Sequence, residues 1–204
     1  MSSIVNNQNI IWTGENPYIR LFDGESGQVV TSISLFRIVY SAQYGNGHAL
    51  FLLSDLEADG FNPKDDYCVC LTDNLVLANW LKEEVVVGYT GFRDIPNEYS
   101  AMPIIETQEF YSTGDPSQSW TETVKAEGIE IELSWKSLDT PFYAEIPSSD
   151  WPNTVCTVLQ ASRNVDVLID GKSPKGRIKD EDFYGKSSTS CCLAFSETWL
   201  CGKQ

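Results

Sequence analysis

The chain has 204 residues, of which 42% are hydrophobic and 21% are charged, and both values are ordinary for a globular protein. Its 29 acidic residues outweigh 14 basic ones and give a formal net charge of −15, which argues against nucleic acid and anionic membranes as partners. The first residues show no basic segment followed by an apolar run, and no apolar run approaches the roughly 20 residues that span a bilayer. We therefore expect a cytoplasmic protein.

Short apolar runs that end in turn residues recur along the chain, which is typical of sheet proteins. The first predicted hairpin covers residues 33–54, because a strand that is apolar on both faces is followed by Gly45-Asn46-Gly47 and a second apolar run. Asn-Gly pairs favour the positive φ angles that tight hairpin turns need. Further strands are predicted at residues 67–71, 104–111, 154–162 and 191–200.

One segment, residues 73–84, has the pattern of a helix. Asp73 is a suitable N-cap residue, and Leu77, Trp80 and Leu81 follow at helical spacing. The valines at 85–87 return to strand character, so we expect the helix to end there.

The clearest hairpin covers residues 120–136. Apolar residues at 129, 131, 133 and 135 alternate with polar ones, which predicts a strand with one buried and one solvated face. Glu127-Gly128 supplies its turn. Val165, Val167 and Ile169 alternate in the same way before Asp170-Gly171, and this pattern predicts a third hairpin.

One helix among eight to ten strands predicts an all-β, mainly antiparallel fold. We expect a single β domain over residues 1–204, built as a β-sandwich or β-barrel (lipocalin-like or jelly-roll-like), with one short helix near residues 73–84. An α+β fold would need a second helix, and the sequence shows none.

Several kinds of site are excluded by the residues that the chain lacks. It has a single histidine, His48, so a zinc site with two or three histidine ligands cannot form within one chain. No glycine-rich nucleotide motif follows a strand, no Gly-x-Ser-x-Gly motif occurs, and none of the six cysteines forms a Cys-x-x-Cys pair. We expect free thiols that pack as small apolar groups, and no cofactor.

An acidic segment leaves one metal hypothesis open. Asp55, Glu57 and Asp59 occupy positions 1, 3 and 5 of a calcium-loop pattern, Gly60 occupies position 6, and Asp66 occupies position 12. The last ligand is Asp where such loops have Glu, and the flanking segments have the pattern of strands. An acidic turn between strands is the favoured interpretation, with calcium bound by the four carboxylates as the alternative.

Arg37 is a charge inside the most apolar predicted strand. Burying a lone charge is costly, so the guanidinium is expected either to pair with a carboxylate or to line a cavity and hold an anionic ligand. Trp135, on the buried face of its strand, is the aromatic candidate for the wall of such a cavity.

Three functions remain open. The first is a binding module that holds a small, partly apolar molecule in a cavity with Arg37 as the polar contact. The second is an isomerase, hydratase or hydrolase that uses carboxylates for acid–base catalysis; the candidates are Glu106, Glu109, Glu122 and Glu197. The third is a structural protein whose sheets pair into a homodimer. A cavity that contains a carboxyl group of raised pKa would favour the enzyme, and one without such a group would favour binding.

Overall fold

The computed structural model describes residues 10–147 and 153–201. These residues form fourteen strands, whose bounds are β1 Ile10–Glu15, β2 Tyr18–Phe22, β3 Val29–Ser41, β4 Gly47–Ser54, β5 Tyr67–Thr72, β6 Ile104–Glu106, β7 Glu109–Asp115, β8 Ser119–Ala126, β9 Ile129–Leu138, β10 Phe142–Ile146, β11 Asn153–Ile169, β12 Asp180–Phe183, β13 Lys186–Thr189 and β14 Cys191–Cys201. The prediction of a mainly antiparallel all-β fold is confirmed.

The helical residues lie between β5 and β6. Helix α1 covers Leu75–Glu84, helix α2 covers Pro96–Ser100, and 3₁₀ turns cover Val86–Gly88 and Phe92–Asp94. No helix in the described part of the chain is long and apolar enough to cross a membrane.

Two details of the helix prediction are wrong. The N-cap is Asn74 and not Asp73, since the Asn74 side chain accepts the Leu77 amide while Asp73 accepts the amide of His48. The valines at 85–87 do not return to a strand, because Val85 still donates its amide to Leu81 and a 3₁₀ turn follows. The second helix, α2, is one turn that starts at a proline, and so short a helix leaves little periodicity in a sequence.

Twelve of the strands form one sheet in the order β6-β5-β4-β3-β1-β14-β11-β9-β8-β7, with β2 against β3 and β14 and with β10 against β11. Every pair is antiparallel except β5 with β6. The two ends of the sheet meet at Thr107, whose amide donates to Thr72 O at 2.7 Å and whose hydroxyl donates to the Lys125 carbonyl. The sheet therefore closes into a barrel-like form, and β12 and β13 make a separate hairpin.

The hairpins predicted at residues 33–54 and 120–136 are confirmed by the pairing of β3 with β4 and of β8 with β9. The third hairpin is wrong. Ile169 pairs with Ile131 of β9 and makes only an isolated bridge to Lys172, so the chain leaves the sheet after Gly171. The predicted strand at residues 104–111 is two strands, because the chain crosses from one end of the sheet to the other at Thr107.

Alternate residues of the central strands pack on opposite sides of the sheet. Leu50 and Leu52 point into the barrel, while Phe51 and Leu53 point outward and are covered by helix α1 and the residues that follow it. Both faces of β4 are therefore buried, which explains why its sequence is apolar without alternation. The covered outer face also carries a polar region beside a cavity.

Candidate functional site: a cavity around Glu197

A cavity of about 320 Å³ lies between the outer face of the sheet and the segment at residues 88–93. Its polar lining includes Asn16, Tyr18, Ser32, Ser34, Tyr89 and Glu197. Its apolar lining includes Ile33, Ile146, Val155, Leu159, Phe183 and Trp199. Strands β2, β3, β10, β11 and β14 of the sheet thus contribute to the lining, together with residues 88–93 and Phe183 of β12.

The strand register explains why polar side chains of distant segments meet here. In the β2–β3 pair, Tyr18 lies opposite Ser34 and Arg20 lies opposite Ser32. Directly opposed residues place their side chains on the same face of a sheet, so all four project toward the cavity. Asn16 is fixed beside them because its backbone N–H donates to the Ala194 carbonyl of β14 at 3.1 Å.

A β-bulge aims Glu197 into the same cavity. Cys156 pairs with Thr198, but two positions further along β11 Val158 pairs with Phe195, so β14 contains one extra residue. Ser196, within this bulge, has a φ of 52°, which is unusual for a residue other than glycine. Bulges of this kind redirect a side chain and are common beside functional sites. The extra residue shifts the alternation of side chains along β14. Glu197 and Trp199 therefore point to the face that even-numbered residues occupy before the bulge.

Glu197 is a buried carboxyl group with neutral hydrogen-bond donors and no cationic partner among its described contacts. It is 6% exposed, and its Oε1 accepts the indole N–H of Trp199 at 2.7 Å. Burial raises its pKa to about 7, and the hydrogen bonds from Trp199 and Asn16 only partly oppose that rise. A carboxyl group with such a pKa is populated in both its acid and base forms at neutral pH.

Asn16 connects Glu197 to the rest of the polar lining. Its Oδ1 accepts the Ser34 hydroxyl at 2.7 Å, and its side chain also hydrogen bonds to Glu197 and Tyr89. The pKa of Tyr89 is raised well above its usual value, mainly by burial and also by the nearby carboxylate of Glu197. The Tyr89 phenol is therefore neutral at every pH at which Glu197 titrates.

Cations lie toward another side of the cavity. Arg20 donates from Nη2 to Glu181 of the β12–β13 hairpin at 2.6 Å, and its guanidinium lies 5.4 Å from the ring centre of Tyr18. Arg93 also lines the cavity and is largely exposed. Phe183 of the same hairpin completes the apolar wall. The cavity therefore combines a titratable acid, apolar walls and two guanidinium groups.

The two ligand-binding residues proposed from the sequence lie elsewhere. Arg37 is 22% exposed and pairs with Glu15 and, at 2.7 Å, with Glu122. Trp135 is fully buried in the barrel core, where its indole N–H donates to Tyr18 O at 3.2 Å. Neither side chain is among the residues that line the Glu197 cavity. The pairing of Arg37 agrees with the structural alternative, and a ligand-binding role for either residue stays a prediction.

The four candidate carboxylates occupy different environments. Glu106 and Glu109 are exposed. Glu122 is 1% exposed, and its oxygens accept hydrogen bonds from Arg37, Ser112 and Trp120, so its charge is compensated. Of the four, Glu197 alone lines the cavity.

The acidic loop uses its carboxylates as acceptors for its own backbone. Asp55 accepts the amides of Asp59 and Gly60, and Asp66 accepts those at positions 56 and 62. Glu57 pairs with Lys175 at 2.8 Å. Among the described residues, no three His, Cys, Asp or Glu side chains are grouped so that they could hold a metal ion. These contacts favour the acidic-turn interpretation, and calcium binding stays a prediction.

A second, more polar depression of about 440 Å³ lies beside β11 and residues 173–178. Arg163 at its edge pairs with Asp139 and Asp180, and Asp166 pairs with Lys136. Arg163 and Asp166 are thus ion-paired at the surface, Arg177 donates to Gly24 O at 2.9 Å, and Glu197 is not part of this depression.

Asn16, Arg20 and Tyr89 have places in the cavity that the sequence does not suggest. Residues 18 and 20 alternate in the manner of a short strand, and this is the one signal that sets Tyr18 and Arg20 on a common face. Nothing near position 89 relates that tyrosine to Glu197, because the two meet only through the fold.

No family model matches the sequence, and no curated protein is similar enough to count as a relative. Among solved structures, the chain is similar to the crystal structure of acetoacetate decarboxylase from Legionella pneumophila, with 10% sequence identity and a TM-score of 0.47. The similarity covers 99% of this chain and 90% of that one. At so low an identity and TM-score, the likeness carries no argument about the function of this chain.

Proposed function

We propose that the chain binds a small, partly apolar molecule in the Glu197 cavity and that Glu197 exchanges a proton with it. The observation that carries this proposal is a carboxyl group with a pKa of about 7 in the wall of a cavity of about 320 Å³. Small-molecule sites commonly have cavities of roughly 300–1,000 Å³ with mostly apolar walls and a few placed polar groups.

The pKa of Glu197 favours an enzyme over a simple binding module. At neutral pH the group donates a proton to a bound carbonyl or hydroxyl in one state and accepts a proton in the other. Asn16 and the Trp199 indole orient the carboxyl, and neutral Tyr89 supplies a further polar group. Isomerisation, hydration and hydrolysis are the reaction classes that need such proton transfers and no redox partner.

The proposed location and partners follow from the composition of the chain. The six free thiols agree with a cytoplasmic location, and the acidic net charge supports the expectation that nucleic acid and membranes are not partners. Formation of a homodimer stays a prediction of the sequence.

Acetophenone is a suitable probe, because its ring suits the apolar walls and its ketone can accept a hydrogen bond from Glu197 only when that carboxyl group is protonated. Ligand-observed NMR should detect binding near pH 6 that weakens about tenfold by pH 8, in proportion to the protonated fraction of Glu197. Glu197→Gln should bind with little change over this range, since an amide donates at every pH. Tyr18, Tyr89, Arg20 and Arg93 also face the cavity, and the tyrosine pKa values lie well above this window.

Two tryptophan substitutions on one segment separate the cavity from the general surface. Thr90→Trp would occupy the cavity and should abolish acetophenone binding, whereas Val87→Trp, at an exposed position that does not line the cavity, should preserve it. Absence of binding to the wild-type protein, or binding that survives Thr90→Trp, would show that this cavity is not a ligand site.

A further inference from the structure

Arg20 is held in one orientation beside the cavity. Its Nη2 donates to Glu181 at 2.6 Å, and its guanidinium packs over the ring of Tyr18 at 5.4 Å. Its side chain is only 25% exposed, and its Nε is buried. A guanidinium fixed in this way is pre-organised for a planar anionic group.

One donor of this guanidinium has no acceptor. Among the described residues, two buried side-chain nitrogen atoms lack a hydrogen-bond partner, Arg20 Nε and Trp12 Nε1. Of these two residues, only Arg20 lines the cavity. Buried donors are nearly always paired, so an orphaned N–H on a residue that lines a cavity points to an acceptor that a bound molecule would bring.

The charge of the cavity lining points to the nature of that acceptor. The chain carries a net charge of −15, yet two arginines, Arg20 and Arg93, line this cavity, and its buried carboxyl group is half protonated near pH 7. Glu181 pairs with Arg20 from the hairpin but is not among the lining residues. Arg93 likewise lies 3.7 Å from Asp94, which is not among the lining residues either. The lining itself therefore presents two guanidinium groups and one titratable carboxyl group.

We propose that the ligand is a small, partly apolar carboxylic acid whose carboxylate binds Arg20 through the unpaired Nε. This inference rests on the proposed function, since it assumes that the cavity is the ligand site. Guanidinium groups match carboxylates in geometry and charge, and Arg93 adds a second positive charge at the cavity. The acid group is held at Arg20, and a second polar group of the ligand reaches Glu197.

Benzoate and acetophenone form a matched pair of probes, because they have nearly the same shape and differ in charge. Near pH 6 benzoate is ionised and Glu197 is mostly protonated, so the buried carboxyl group does not repel the anion. Isothermal titration should show that the wild-type protein binds benzoate more tightly than acetophenone. Arg20→Gln should weaken benzoate binding at least tenfold and leave acetophenone binding within about twofold, as expected for loss of a charge-assisted hydrogen bond.

Glu181→Gln is the matched control, because it breaks the same ion pair from the other side and leaves the arginine in place. It should bind benzoate at least as tightly as the wild-type protein, since a competing carboxylate is removed. The inference is overturned if Arg20→Gln retains benzoate binding, or if Glu181→Gln loses as much as Arg20→Gln does. If Arg20→Gln does not fold, Glu181→Gln is the remaining test of the inference. Benzoate binding at least as tight as that of the wild-type protein supports it, and weaker benzoate binding overturns it.

The two proposals fail in different ways. Wild-type protein that binds acetophenone but not benzoate contradicts the carboxylate inference and leaves the ligand cavity standing. Wild-type protein that binds neither probe contradicts both.

Discussion

Replacing Glu197 with glutamine should change how the stability of the protein depends on pH. The folded pKa of Glu197 is about 7 and the ordinary value is 4.5, so the unfolded chain loses this proton first as the pH rises. Its stabilising contribution is therefore complete below about pH 4.5 and is lost as the pH rises through about 7. At about 1.4 kcal/mol for each pH unit, the difference amounts to roughly 3 kcal/mol.

Urea unfolding of the wild-type protein and of Glu197→Gln at several pH values measures this contribution. The free energy of unfolding of the variant, relative to wild type, should rise by about 2.5 kcal/mol between pH 5 and pH 8, because glutamine keeps the Trp199 hydrogen bond without ever becoming charged. Glu127→Gln, the same change in an exposed turn, should give a curve parallel to wild type. Parallel curves for Glu197→Gln as well would refute the raised pKa and, with it, the proposed proton exchange.

Three further predictions concern features outside the cavity. Arg37→Leu should lower the free energy of unfolding by about 2–4 kcal/mol, because it leaves the buried Glu122 charge without its cation, and Arg37→Leu with Glu122→Leu should recover much of that loss; urea melts of both variants test this. Alkylation of native, unreduced protein followed by mass spectrometry should show no disulfides, with Cys201 modified quickly and Cys70 slowly, since burial raises the pKa of the Cys70 thiol. Millimolar calcium should leave the thermal melting temperature unchanged, because the carboxylates of the loop at residues 55–66 already accept backbone amides, and a clear rise would support a calcium site there.

Local patterns in the sequence predict the parts of the fold that local chemistry determines. The alternation at residues 129–135 and the turns at 45–47 and 127–128 define hairpins whose strands are neighbours in the chain. Strands β1 and β2 escape prediction because each is short, and their stability comes from β3 and β14, the latter more than 150 residues away. The false hairpin at Asp170 also comes from a partner that is not adjacent in the chain. The strand that ends at Ile169 pairs with β9, which lies earlier in the sequence, and not with a strand that follows the turn.

The candidate site could be predicted only in part. The sequence identifies Glu197 as one of four carboxylates, but its burial depends on the bulge at Ser196, which exists only in the pairing of β14 with β11. The ion pair of Arg37 follows from a register that places it directly opposite Glu15. Asn16 and Tyr89 reach Glu197 from distant segments, and no spacing in the chain encodes that meeting.

Proton exchange in the cavity requires that Glu197 be a protonatable group in contact with the bound ligand. A ¹³C NMR titration of its side-chain carboxyl tests this requirement, with the signal assigned by its loss in Glu197→Gln and the titration repeated with saturating acetophenone. We predict a midpoint near pH 7 for the free protein and a higher midpoint with the ketone, because the ligand binds the protonated form. A midpoint near 4.5 that acetophenone does not move would contradict the proposed role of Glu197.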